Sequence, residues 1–133
     1  MRDIMLSLKP YWAELIYSGK KTVEWRKSSP DTGEGFRGRR IYIYETSPVK
    51  MVTGFCHLHS IYEFNRPIEL KKDSDAIKAG CVPYEDLLKY QDNRKLCAWC
   101  IASFIKFDRP YSLADFHLDR PPQSWQYLRE RQK

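Results

Sequence analysis

Long apolar runs are missing from this chain. No stretch of its 133 residues approaches the ~18 consecutive residues that a membrane-spanning helix needs, which excludes a helical integral membrane protein. The N-terminus, Met-Arg-Asp-Ile-Met-Leu-Ser-Leu-Lys-Pro, lacks an apolar h-region and a small-residue cleavage site, so a cytoplasmic rather than secreted protein is expected. Internal repeats and low-complexity tracts are absent as well. Cysteine is sparse, at four residues, and without a secretory signal these are expected to be reduced. The length predicts one domain over residues 1–133, and with 42% hydrophobic residues the chain can bury a core without a disulfide or metal staple.

Metal-ligand spacing is also wanting. Cys97-Ala98-Trp99-Cys100 has the C-x-x-C form, but it lies inside the apolar run Leu96 to Ile105, which reads as a buried strand. On a strand, residues three apart point to opposite faces, so the two sulfurs cannot meet. His57 and His59 share a strand face, yet no third and fourth ligand follows at a zinc-like spacing. Neither a structural metal nor another cofactor is expected.

What the chain does have is positive charge. Lys and Arg number 23 against 17 Asp and Glu, a net of +6. Through Lys50 there are ten basic and six acidic residues, a balance of +4, which leaves +2 for the remainder. Such a bias favours an anionic partner, nucleic acid or nucleotide before others.

Periodicity predicts mostly strands. Ile4, Leu6 and Leu8 alternate with Met5 and Ser7; Pro10 opens a helix that Gly19 closes; Thr22 to Arg26 is a second strand. Ser28 to Gly38 reads as a mobile loop. Strands are expected over Arg39 to Thr46, Met51 to Tyr62 with Gly54 as a bulge or close-approach point, and Lys95 to Phe107. Short helices are expected around Ser74 to Ala79, after Pro83, and after the N-cap Ser112. The tail around Trp125 and Tyr127 is left open between a packed plug and a stacking platform. Strands following one another with only short helices argue against a parallel α/β sheet and for an α+β fold, a mixed β-barrel of five or six strands with short flanking helices.

The densest polar cluster is Gly19-Lys20-Lys21-Thr22-Val23-Glu24-Trp25-Arg26-Lys27. If Thr22 to Arg26 is extended, Val23 and Trp25 face the core, and Glu24 and Arg26 become same-face neighbours within ion-pair reach. Lys21 has core parity, where a free ammonium is costly, so it is expected in the turn after Gly19, free to swing toward Glu24. A carboxylate held between two cations is a good orienting group and a poor general acid near neutral pH. A salt-bridge ladder on a solvated edge strand would show the same spacing.

These residues carry a resemblance. Gly19, Lys21, Glu24 and Arg26 match the G-x-K-x-x-E-x-R motif of ASCH domains, within the PUA-like superfamily. Ser7-Leu8-Lys9-Pro10, the stretch from Tyr42 to Lys50, and the stretch from Arg120 to Leu128 are similar to the corresponding stretches of small prokaryotic ASCH proteins. The resemblance implies a PUA-like barrel with a cleft beside the motif, and functions with RNA, nucleotides or coregulators. Acetylcytidine amidohydrolases share that barrel and use a lysine, a threonine and a glutamate. Lys21 falls on the lysine, Glu24 stands where the threonine nucleophile would be, and Glu85 is a candidate counterpart of the distal glutamate.

The expected function is therefore binding of RNA or a nucleotide, with DNA left open and no membrane partner. Lys21 and Glu24 are the candidate catalytic pair. Lys9, Arg26, Lys27, Tyr44, Thr46, Ser47, Ser124 and Trp125 are the candidate ligand-binding residues, basic groups for phosphates and π-faces for unstacked bases. Two alternatives stand beside it: a metal-independent ribonuclease or modified-nucleoside hydrolase built on Lys21 and Glu24, and a protein-interaction adaptor.

Overall fold

Alternating side chains do produce the first strand, β1 (Arg2–Leu8), and Pro10 at the first helical position starts α1 (Pro10–Tyr17). The remaining elements of this computed structural model are β2 (Val23–Arg26), β3 (Arg40–Glu45), β4 (Met51–Phe64), α2 (Asp75–Gly80), α3 (Tyr84–Gln91), β5 (Leu96–Tyr111), a 3-10 turn (Leu113–Phe116) and β6 (Trp125–Glu130). Residues 2–33, 38–65, 74–92 and 94–130 are described. The loop expected over Ser28 to Gly38 is therefore described only in part, its residues 34–37 lying outside. Among the described residues no helix is long and apolar enough to cross a membrane.

All six strands belong to one mixed sheet in the order β2-β5-β4-β3-β1-β6. Only β1 and β3 run parallel, and the other four pairings are antiparallel. The sheet curls, but among the described residues its edge strands β2 and β6 share no ladder, so backbone hydrogen bonds do not close a barrel. Side chains span the gap instead. Arg26 of β2 donates from Nη1 to Ser124 Oγ just before β6 (3.0 Å) and from Nη2 to the Ser7 carbonyl of β1 (3.0 Å). Trp99 and Trp125 both donate to Ser28, one to its carbonyl and the other to its hydroxyl.

Successive strand residues divide between buried layers on the two faces of the sheet, and every β1 residue from Asp3 to Leu8 is buried. Ile4, Leu6, Ile41, Ile43, Leu58, Trp99 and Ile101 fill the inside of the curl beneath Ala13 and Ile16 of α1. On the other face of β2 and β5, Val23, Trp25, Leu96 and Ala98 pack against Ile77 of α2 and Leu87 of α3. The C-x-x-C pair divides between these layers as strand geometry requires, Cys97 in the first and Cys100 against the second. All four cysteines are free, and burial pushes the Cys56 thiol up to about 12 and raises that of Cys97.

Gly54 is a close-approach point. A Cβ there would run into the Ile105 carbonyl and the Tyr17 hydroxyl, beside register shifts in both flanking ladders. A backbone carbonyl cannot swing away as a side chain can. Gly54→Ala is therefore expected to destabilise by about 1–3 kcal/mol, as overpacking does, and a urea titration read by tryptophan fluorescence checks it.

Candidate functional site

The chain reverses after α1 in a way that drives a lysine inward. Ser18 is the C-cap, and Gly19, at φ +81°, takes the left-handed conformation that glycine adopts without strain. The reversal lets the Lys21 N–H bond the Leu15 carbonyl, which aims the side chain under the helix. Lys21 is 0% exposed. It does not swing in a turn: Nζ donates to the Gly80 carbonyl at the end of α2, lies 3.3 Å from Glu24 Oε1, and sits 5.0 Å from the centre of the Trp12 ring. Burial lowers its pKa, and the neighbouring Glu24 carboxylate opposes that shift.

Glu24 and Arg26 share a face of β2, as extended backbone dictates, while Val23 and Trp25 point to the α2–α3 layer. Arg26 donates from Nε (3.1 Å) and Nη2 (2.9 Å) to Glu24 Oε2. Both carboxylate oxygens are thus committed, Oε1 to Lys21 and Oε2 to Arg26. With side-chain exposures of 1%, 7% and 15% for Lys21, Glu24 and Arg26, the trio is not a solvated ladder. It is a buried array with a net charge of +1, and Arg26 is its most accessible member.

The trio forms the floor of a cleft of about 520 Å³, the size of many small-ligand sites. Lys9 and Trp12 come from the start of α1, Ser7 and Leu8 from β1, Thr46 from the turn after β3, Gln123 from the approach to β6, and Asp86, Leu87 and Tyr90 from α3. Burial raises the pKa of Tyr90. The Lys27 ammonium lies 4.8 Å from the Tyr90 ring centre at the rim.

Of the residues singled out from sequence, Lys9, Lys21, Glu24, Arg26 and Thr46 line this cleft, and Lys27 and Ser124 reach it through Tyr90 and Arg26. The other three do not line it. Tyr44 is buried in a separate cluster with Met5, Val52 and Leu128. Ser47 is exposed in the turn at its cis bond to Pro48. Trp125 packs edge-on against Trp99 and Tyr127, and its Nε1 is occupied by Ser28. Glu85 is not a lining residue, whereas its neighbour Asp86 is. His57 packs edge-on to Phe55 and His59 bonds Ser60; among the described residues no three His, Cys, Asp or Glu side chains converge.

Trp12, Asp86, Tyr90 and Gln123 were not apparent as site residues. Trp12 reads as the apolar face of α1. Asp86 and Tyr90 stand four apart, one face of a helix, and that spacing was the available signal beside the apolar face formed by Tyr84, Leu87 and Leu88.

Comparison with known proteins places this geometry in a family. The ASCH domain family pattern matches residues 6–111. A crystal structure of ASCH from Zymomonas mobilis superposes with a TM-score of 0.76 at 31% identity, covering 96% of this chain and 88% of that one. A tyrosine-to-phenylalanine mutant of that protein superposes with a TM-score of 0.80 at 29% identity, covering 98% and 92%. The curated "ASCH domain-containing ribonuclease" of Zymomonas mobilis is 44% identical over 62 residues; the match takes in 47% of this chain and only 40% of that relative's length. The six-stranded mixed sheet with three short helices is the PUA-like α+β architecture of the matching ASCH structures.

Proposed function

The chain belongs to the ASCH domain family, and from that premise we propose that its cleft binds single-stranded RNA in the cytoplasm. One observation carries the reading. A buried array of two cations and one carboxylate floors an open cleft with aromatic walls, an arrangement suited to a phosphate beside an unstacked base. In this reading Lys9 and the one Arg26 N–H not engaged within the protein meet phosphate oxygens. Lys21 acts from beneath, by its charge and by holding Glu24. Glu24, with both oxygens engaged, orients Arg26 and does not shuttle protons.

Fluorescence anisotropy with a labelled single-stranded RNA at several salt concentrations tests this. Two contacted phosphates predict a slope of about −1.4 in log affinity against log salt for a single strand. Salt-independent binding, or no binding, would remove the proposal.

A second reading adds cleavage, favoured by the name of the Zymomonas mobilis ribonuclease. The 2′-oxygen would form a bond to the adjacent phosphorus and the bond from phosphorus to the 5′-oxygen would break. Water would take the 2′-hydroxyl proton and supply one to the departing 5′-oxygen, with the charge on the phosphorane facing Arg26 above Lys21. Incubation with RNA in EDTA should then yield 2′,3′-cyclic phosphate ends with the wild type and far fewer with Lys21→Met or Glu24→Gln. Equal yields from all three would leave binding alone.

A further inference from the structure

We propose that Asp86 makes the cleft selective for an unstacked guanine, a refinement that rests on the RNA-binding reading. Two carboxylates line the cleft, and they are not equivalent. Glu24 has both oxygens committed to Lys21 and Arg26. Asp86 is exposed, and none of the described ion pairs or hydrogen bonds engages it. Glu24 is nearly buried, so the carboxylate that a ligand's donor reaches most readily is Asp86.

The neighbouring ring sets the direction of approach. Tyr90 lies four residues on along α3, on the same helix face, with 39% of its surface exposed. The Lys27 ammonium lies over its ring, so the ring is held in place as a surface for a base. Side chains on a helix lean toward its N-terminus, which carries the edge of a base stacked on Tyr90 toward Asp86.

A carboxylate accepts two parallel hydrogen bonds and offers none. Guanine presents two adjacent donors on its Watson–Crick edge, N1–H and the N2 amino group. Adenine and cytosine present one donor beside an acceptor, and uracil presents one donor between two carbonyls that a carboxylate repels. Guanine is the base this wall fits.

The test uses two labelled pentamers, UUGUU and UUUUU, each too short and too poor in guanine to form alternative structures. The wild type is expected to bind UUGUU about tenfold more tightly, the scale of one good bidentate contact. Asp86→Asn replaces an acceptor oxygen by an amide donor, and should shrink that preference to within about twofold. Equal wild-type affinities, or a preference that Asp86→Asn leaves intact, would overturn the assignment of guanine to Asp86 while RNA binding stands. Absence of binding to either pentamer would instead overturn the RNA reading on which the assignment rests. Thermal unfolding of Asp86→Asn, expected to match the wild type because the side chain is exposed, separates the outcome from misfolding.

Discussion

Arg26→Ala is expected to lower stability by about 3–5 kcal/mol, because it leaves Glu24 buried with half its partners gone. For a chain of this length that is a fall of about 10 °C or more in Tm. The loss has a second source, since the same guanidinium joins β2 to the Ser7 carbonyl and to Ser124 across the open seam of the sheet. Stability and function separate in the triple replacement Lys21→Met, Glu24→Leu, Arg26→Met. Removing every charge of the array together leaves no ion stranded, so much of the stability should return, while RNA affinity should not. Calorimetric scans of the single and triple variants, set beside anisotropy titrations of both, measure the two effects. A triple variant less stable than Arg26→Ala would refute the account of the array as mutually dependent charges.

The second large effect is one of pH. Burial lowers the pKa of Lys21 from its ordinary 10.5. Between the lowered value and 10.5 the unfolded chain therefore binds more protons at this residue than the folded one. Through that window the Lys21 contribution to stability rises with pH, since the sign follows the excess of protons on the unfolded state. RNA affinity should move the other way, because deprotonation takes one positive charge from beneath the cleft. The expected result is an affinity that falls more steeply below pH 10.5 in the wild type than in Lys21→Met, the difference being the Lys21 contribution because the RNA bases themselves lose protons in alkaline solution. An unchanged titration in Lys21→Met would assign the effect to another group.

Much of this architecture was legible in the chain because strand periodicity is a local property. Ile41 and Ile43 against Tyr42 and Tyr44, the Pro10 to Gly19 helix, and the short helix around Ser74 to Ala79 all stand where local rules put them. The sequence predicts no strand at β6. That strand is six residues long, follows two prolines, and gains its strand character by pairing with β1, more than a hundred residues away. The Gly19–Arg26 motif was legible for the same local reason, since extended backbone must put Glu24 and Arg26 side by side. What sequence could not supply was the third dimension of the cleft. The burial of Lys21 depends on the Gly80 carbonyl, 59 residues away, and on the Trp12 ring. The wall formed by Asp86 and Tyr90 depends on where α3 docks. Tyr44 shows the converse: it sits in a stretch that resembles the family, yet its ring packs with Met5 and Leu128 and is not among the residues lining the cleft.

The most direct measurement is an NMR titration of isotope-labelled protein with a short single-stranded RNA, followed by the backbone amide and arginine side-chain signals. The account predicts that the largest shifts fall on Lys9, Lys21, Glu24, Arg26, Thr46, Asp86 and Tyr90, and that the Arg26 guanidinium signals are among them. Shifts confined to Phe107, Tyr111 and Phe116, whose rings contact one another and do not line the cleft, with the Arg26 signals unmoved, would contradict it.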